Sequence, residues 1–323
     1  MDVTLSIIIP AYNVVSYLEE CIESIVSGTC RDYEILLIDD GSVDGTGRLC
    51  DRLAEKHTVI QVFHTPNYGL SHARNVGIDH ASGKYIGFVD ADDVIAPTMF
   101  KVLIQCMGPE IDMVACRFCR CRRNEIDLDE IPITQHILTN QIETAQSILT
   151  GGYGPNVINK LFKADILEQN QIRFREECRT AEDVFFIAEY LIHCKKAAFI
   201  KKSLYYYITN GGSITSTFCD NRVIGDVYMS LPRSWRFCTE VMESFSNDLG
   251  NQARARAVMF YQTVLRKLEK PNCQYIEETI TYIKKNKSAL LHYKWGFKYY
   301  LSAILLSASY SLWAKIFRRG LPK

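Results

Sequence analysis

Apolar residues in the first ninety positions fall into short continuous blocks separated by stretches of helical spacing. Leu5 to Ile9 is unbroken, and Val14, Leu18, Cys21, Ile22 and Ile25 then recur at helical intervals. Tyr33 to Ile38, Val59 to Phe63 and Tyr85 to Val89 repeat the block pattern; helical spacing returns around Leu49 and Leu53 and through Ala73, Val76 and Gly77. The alternation predicts βαβαβαβ. Blocks that are apolar on both faces and joined by helices belong to a buried parallel sheet. Such sheets bind ligands beyond the carboxyl ends of their strands.

Those ends read Pro10-Ala11-Tyr12-Asn13, Asp39-Asp40-Gly41-Ser42, His64-Thr65-Pro66-Asn67 and Asp90-Ala91-Asp92-Asp93. Capping of the next helix accounts for Asp44. It does not account for two strands that both finish in paired acids. Carboxylates this close raise one another's pKa unless a cation or hydrogen-bond donors hold them. Neither Gly-x-Gly-x-x-Gly after the first strand nor Gly-x-x-x-x-Gly-Lys-Ser/Thr occurs, so a phosphate ligand needs a metal to hold it.

Beyond this lies a region, 109–215, of mixed strand and helix signals, including a helix predicted over Glu182–Cys194 and a strand-loop from Tyr205 to Thr215 in which Asn210-Gly211 reads as a hairpin turn. Residues 216–323 read as helical from Asn221 onward. The domain expectation is therefore 1–108, 109–215 and 216–323. A chain of 323 residues has core enough for more than one domain.

Lys plus Arg and Asp plus Glu both number 37, which excludes a nucleic-acid-sized basic surface. Twelve scattered cysteines, with Met1-Asp2 leading straight into a strand, read as reduced thiols in a cytosolic protein. Cys116, Cys119 and Cys121 lack the second pair a structural zinc brings. No acidic residue follows Glu278, while nine Lys or Arg do, and Tyr299–Ala314 is uncharged, aromatic-flanked and too short to span a bilayer. With Trp295 and Trp313, it suits a helix lying on an anionic membrane surface, or a packed helix with a basic face.

Ser6-Ile7-Ile8-Ile9-Pro10-Ala11-Tyr12-Asn13, Ile38-Asp39-Asp40-Gly41-Ser42-Val43-Asp44-Gly45-Thr46, Asn67-Tyr68-Gly69-Leu70-Ser71-His72-Ala73-Arg74-Asn75 and Phe88-Val89-Asp90-Ala91-Asp92-Asp93 resemble glycosyltransferase family 2 in order and spacing. The likeness is close over the first hundred residues and looser to Thr215. It implies an α/β GT-A fold, a mostly parallel Rossmann-like sheet with helices on both faces, followed here by an all-helical C-terminal region. It also implies an inverting enzyme that moves a hexose or N-acetylhexosamine from a UDP-sugar to a lipid-linked saccharide in capsule, exopolysaccharide or O-antigen synthesis. Such an enzyme works in the cytoplasm, peripheral at the inner face of the membrane.

By this resemblance Asp90-Ala91-Asp92 is a DxD element: Asp92 ligates Mg²⁺ or Mn²⁺, and Asp90 turns toward ribose or a metal-bound water. Asp93 caps the helix beginning near Pro97. Pro10, Ala11 and Asn13 shape the nucleotide pocket, Tyr12 packs on the base, and Asp40 accepts from the uracil imide. Asp39 reads equally as a structural carboxylate. Asn67 and Arg74 face the diphosphate or sugar, with a helix-surface arginine that meets no ligand as the alternative for Arg74. Ala181-Glu182-Asp183 resembles the family's Glu-Asp segment and makes Asp183 the base, although Thr180-x-x-Asp183 is also a capping-box pattern. Glu182, Tyr207 and Ser213 are lid or acceptor contacts, Ile208 stands where the family often has arginine, and Asn159-Lys160 reads as acceptor-side or structural. Two other readings remain: Asp90-Ala91-Asp92-Asp93-Val94 fits a haloacid-dehalogenase-like phosphatase loop, and a catalytically inactive nucleotide-sugar-binding module has the same pocket.

Overall fold

The computed structural model describes residues 3–126, 136–149, 152–178, 180–209, 226–267, 273–292, 296–309 and 313. The chain forms two compact units, Met1–Glu177 with Glu189–Gly211, and Cys178–Ala188 with Gly212–Lys323.

The first unit is built on a nine-stranded sheet. Its strands are β1 (Leu5–Ala11), β2 (Tyr33–Asp40), β3 (Ile60–Thr65), β4 (Tyr85–Phe88), β5 (Val94–Ile95), β6 (Met113–Cys121), β7 (His136–Asn140), β8 (Lys160–Lys163) and β9 (Lys196–Ile208). The order is β3-β2-β1-β4-β8-β6-β9-β5, with β7 also on β9. The first four are parallel; β8 is antiparallel to both β4 and β6, and β5 and β7 are antiparallel to β9. Helices α1 (Leu18–Val26), α2 (Thr46–Lys56), α3 (Leu70–His80), α4 (Met99–Gln105), α5 (Gln141–Leu149) and α6 (Ala164–Gln169) complete the unit.

The alternation of side chains along a strand assigns the helices to the two faces. Ile7, Ile9, Ile35 and Leu37 share a buried cluster with Leu18, Cys21 and Ile22 of α1, Leu49 and Leu53 of α2, and Phe100 of α4. On the opposite face α3 lies so close that a Cβ on Gly77 would stand 2.4 Å from Ile8 Cγ2 and 3.2 Å from Ile38 Cδ1. Val14 falls outside α1, in the preceding turn, where its carbonyl accepts from the N–H groups of Tyr17 and Leu18.

The chain builds β1, β2 and β3 outward in one direction and then returns to place β4 on the other side of β1. Pairing of β1 with β4 stops at Ile8–Phe88. Pro10, which has no N–H to give a ladder, therefore sits where one neighbour has already left. The strand order reverses between these two strands, the place where open α/β sheets bind ligands beyond the carboxyl ends.

Helix α7 (Glu182–His193) begins in the second unit and ends in the first. The second unit is otherwise helical: α8 (Asp226–Phe245), α9 (Asn247–Lys267), α10 (Cys273–Asn286) and α11 (Gly296–Ala308). Val258, Tyr261, Leu265, Ile283, Leu290, Ala303, Leu306 and Trp313 form its core. Trp313 is fully buried and its indole N–H donates to Ser302 Oγ at 2.8 Å. This corrects its expected place on a membrane surface: an indole with its one donor already matched packs inside. Trp295, Lys294, Lys315, Arg318, Arg319 and Lys323 lie outside the described residues. No described helix is long and apolar enough to cross a membrane.

Candidate active site

The loops after β1 and β2 are tied together by short polar side chains. Asn13, in the left-handed region at φ 52°, accepts from the Val43 N–H through Oδ1 at 2.9 Å, and its own N–H donates to Ser42 Oγ at 3.0 Å. Asp44 accepts from the Thr46 N–H at 3.0 Å and from the Val15 N–H at 3.2 Å; it does not occupy the N-cap of α2, which is Gly45 and has no side-chain cap. Pro10 and Ala11 are buried behind this corner and Tyr12 stands 45% exposed.

Asp39 and Asp40 are both buried and have different partners. Asp39 accepts from the Ser42 N–H at 3.1 Å and faces His64 Nδ1 at 2.9 Å, while His64 Nε2 faces Asp51 Oδ1 at 3.0 Å. Asp40 accepts from the N–H groups of Tyr68 and Gly69 at 2.9 and 2.8 Å, which shapes the Asn67–Gly69 approach to α3, where Asn67 and Tyr68 are exposed. Each carboxylate oxygen has a further acceptor position beyond those bonds.

Hydrogen bonds from Asp39 first, then Asp51, raise the His64 pKa. A raised histidine stabilises the fold fully below its unfolded value near 6.5 and loses that contribution as pH climbs through the folded value. His64 is about half exposed, so the effect is modest. Thermal midpoints measured from pH 6 to 9 should fall more steeply for the unaltered chain than for His64→Gln. Parallel profiles would mean that the ring does not contribute in this way.

The tip after β4 gathers the remaining groups. Arg74, 1% exposed, donates through Nη2 to Asp90 Oδ1 at 3.0 Å, and its guanidinium lies 5.1 Å from the Phe174 ring centroid. It is a buried ion-pair partner of the acidic tip, not a helix-surface cation. Asp90 keeps 28% of its side chain exposed, and Asp92 is half-buried. Arg123 donates to the Asp92 carbonyl at 3.1 Å, pairs with Glu20 and lies 4.8 Å from the Tyr17 ring centroid. Cys21 donates its thiol to the Asp90 carbonyl at 3.6 Å; burial, then the three aspartates, push its pKa well up and keep it a thiol.

Asp93 does not cap a helix. The helix it was expected to cap, α4, starts at Met99 and has no side-chain cap. Asp93 is buried instead, accepting from Tyr205 Oη at 2.7 Å and from the Ile208 N–H at 2.8 Å. Burial, then the Asp90 charge, push its pKa up to about 8 against those hydrogen bonds.

The donors fit a hard divalent cation. Mg²⁺ and Mn²⁺ take one or two protein carboxylates and fill the remaining positions with water and substrate phosphates. Asp90 and Asp92 offer that set. Among the described residues no group of three His, Cys, Asp or Glu is placed to hold a metal alone.

Several expected residues are placed elsewhere than the loop chemistry suggested. Tyr207 and Ile208 end a paired strand, β9, beside Arg120 and Cys121 of β6, and the Arg120 guanidinium is 5.2 Å from the Tyr207 ring centroid. Residues 205–208 therefore belong to the sheet, not to a free lid; Ser213 lies outside the described residues. Asn159 and Lys160 are fully buried. Lys160 Nζ donates to the carbonyls of Tyr153, Gly154 and Asn156 and to Asn159 Oδ1, so the pair fastens the loop before β8. Glu182 is buried and Asp183 half-buried in the first turn of α7. Ala181 before them is left-handed at φ 60°, a strained conformation for alanine of the kind that gathers at functional segments.

Sequence reasoning missed Asp93, Tyr205 and Arg123. A third acid in the run hinted at the first. Arg123 closes the run Arg117, Arg120, Arg122 and Arg123, a local concentration of positive charge that is a signal for it.

An open α/β sheet with paired acids at its reversal point, continued by antiparallel strands, is a GT-A fold. Residues 6–163 match the family model described as Glycosyl transferase family 2, and that stretch is a domain of this family. It is 34% identical over 218 residues to the uncharacterized glycosyltransferase EpsJ of Bacillus subtilis, covering 65% of this chain and 62% of that one. The chain spans about three-fifths of the length of the curated relatives it matches (62%, 63% and 63%). Among solved structures it resembles S. aureus TarS 1-349 in complex with UDP-GlcNAc, at TM-score 0.69 and 19% identity, over 96% of this chain and 92% of that one. It also resembles the mannosyltransferase PcManGT from Pyrobaculum calidifontis in complex with GDP-Man and Mn²⁺, at TM-score 0.52 and 16% identity, over 96% and 87%. The phosphatase reading gains no support from any of these.

Proposed function

We propose that this chain is a metal-dependent, inverting glycosyltransferase that moves a hexose or N-acetylhexosamine from a UDP-sugar to a lipid-linked saccharide during cell-surface polysaccharide synthesis. It would work peripherally at the inner face of the membrane, with the basic C-terminal region toward the lipid. The observation that carries the reading is the Arg74–Asp90 pair beside Asp92 at the reversal point of the sheet. The UDP-GlcNAc bound by TarS supports a UDP-sugar as donor, and the Mn²⁺ bound by PcManGT supports the cation.

Asp92, with Asp90 beside it, would hold Mg²⁺ or Mn²⁺, which supplies Lewis-acid neutralisation of the charge on the departing diphosphate. Arg74 holds the Asp90 carboxylate in place and adds positive charge near the phosphates. Tyr12 stacks on the base, Asp40 accepts its imide N–H, and Pro10, Ala11, Asn13, Asn67 and Ala91 shape the walls. Asp183 takes the proton from the acceptor hydroxyl as the new bond forms on the face opposite the leaving group. Glu182, Tyr207 and Ser213 serve the acceptor side.

A panel of UDP-, GDP- and dTDP-sugars with and without Mn²⁺ tests this by thermal shift. A ligand that binds only the folded state stabilises it by about 2.7 kcal/mol at a hundredfold excess over Kd. The expected result is a shift with UDP-sugar that requires Mn²⁺ and is largest among the three bases. A larger shift with GDP-sugar would reassign the donor, and no shift with any of them would remove the proposal.

A further inference from the structure

Asp93 and Tyr205 are not assigned a role by the chemistry above, yet they make a buried polar contact next to the acidic tip. The Asp93 N–H donates to the Asp90 carbonyl at 3.0 Å, closing a tight turn whose two inner residues are Ala91 and Asp92. Tyr205 Oη touches this turn twice: it accepts from the Asp90 N–H at 3.1 Å and donates to Asp93 Oδ2 at 2.7 Å. Asp93 Oδ1 takes the Ile208 N–H at 2.8 Å. Immediately after the turn, Val94 and Ile95 pair with Tyr206 and Tyr205. One phenol and one carboxylate thereby fasten both ends of the turn to the last four residues of β9.

This arrangement is more specific than core packing requires. Tyr205 is completely buried, and its hydroxyl could have met any carbonyl; it is spent on the backbone that sets the spacing between Asp90 and Asp92. Ligand carboxylates tolerate little displacement, because the cation demands near-ideal geometry, and groups that orient first-contact ligands commonly change metal affinity roughly tenfold or more when removed.

The geometry points to Asp93 and Tyr205 as positioning residues that hold the Asp90–Asp92 pair at cation-binding spacing and tie that spacing to the end of β9. The inference rests on the reading of Asp90 and Asp92 as a cation seat. It adds that the seat is not formed by its own loop alone. A displacement of the Tyr205–Ile208 end of β9 would reach the ligands through the Tyr205 hydroxyl and the Asp93 carboxylate.

The test is Mn²⁺ binding to the full chain, followed by electron paramagnetic resonance of free Mn²⁺ with UDP present, for the unaltered chain, Tyr205→Phe and Asp93→Asn. Tyr190→Phe is the matched control. Its hydroxyl is also buried and also bridges two backbone groups, the Asp112 carbonyl and the Lys163 N–H, but in a different part of the sheet. Tyr205→Phe should weaken Mn²⁺ about tenfold with a thermal midpoint like that of Tyr190→Phe, which should bind Mn²⁺ as the unaltered chain does. Asp93→Asn should fall on the same side as Tyr205→Phe. Mn²⁺ affinity within twofold of the unaltered chain in both variants would overturn the inference while leaving the cation seat intact. If the unaltered chain binds no Mn²⁺, the seat itself is refuted and the inference goes with it.

Discussion

Asp183→Asn is expected to lower the turnover of sugar transfer by about 100-fold or more, the range usual for loss of a general base, with Mn²⁺-dependent UDP affinity unchanged. The carboxamide has nearly the same shape as the carboxylate and can still accept a backbone N–H in the first turn of α7. It cannot take a proton from a sugar hydroxyl. The substitution therefore separates the two readings of this position, since a cap survives it and a base does not. Retained UDP binding with lost transfer would also exclude an inactive nucleotide-binding module. Steady-state transfer rates beside a UDP titration make the measurement, and turnover within a few-fold of the unaltered chain would move the base elsewhere.

The second large effect concerns stability. Lys160→Met should lower the thermal midpoint by roughly 6–12 °C, which corresponds to about 3 kcal/mol in a unit of this size. Methionine matches the aliphatic stem but brings no donors; the Gly154 and Asn156 carbonyls and the Asn159 carboxamide oxygen, met by Nζ now, would lose that donor, while the Tyr153 carbonyl keeps its bond from Asn159 Nδ2. Each buried acceptor stranded in this way costs about 1–3 kcal/mol before the loop relaxes. Gly152 and Gly154 hold the loop at positive φ, 87° and 67°, so it has little freedom to turn those carbonyls elsewhere. A midpoint shift under 2 °C would show that the loop rearranges cheaply and that Lys160 is held for another reason.

These predictions draw on different kinds of legibility. The parallel half of the sheet could be read directly, because the blocks at Leu5, Tyr33, Val59 and Tyr85 are local patterns and each became a strand within a residue or two. The acidic tip was equally visible as a cluster of like charge. Which acid does what was not visible. Asp90, Asp92 and Asp93 are within four positions, and only the approach of Arg74 from α3, Arg123 from beyond β6, and Tyr205 and Ile208 from β9 makes them different.

The same holds for the C-terminal half. Apolar spacing and a run of bases left Tyr299–Ala314 as either an interfacial helix or a packed one, because hydrophobicity along a helix does not say what covers it; Trp313 is bonded to Ser302 inside a helical core. By itself, then, the amino-acid sequence determined the order of elements, the family and the place where charge accumulates, since periodicity and motif are written in neighbouring residues. Only the tertiary structure decided which carboxylate stays partly exposed and which is locked to a strand, because that depends on partners up to 115 positions away, whose meeting no local pattern encodes.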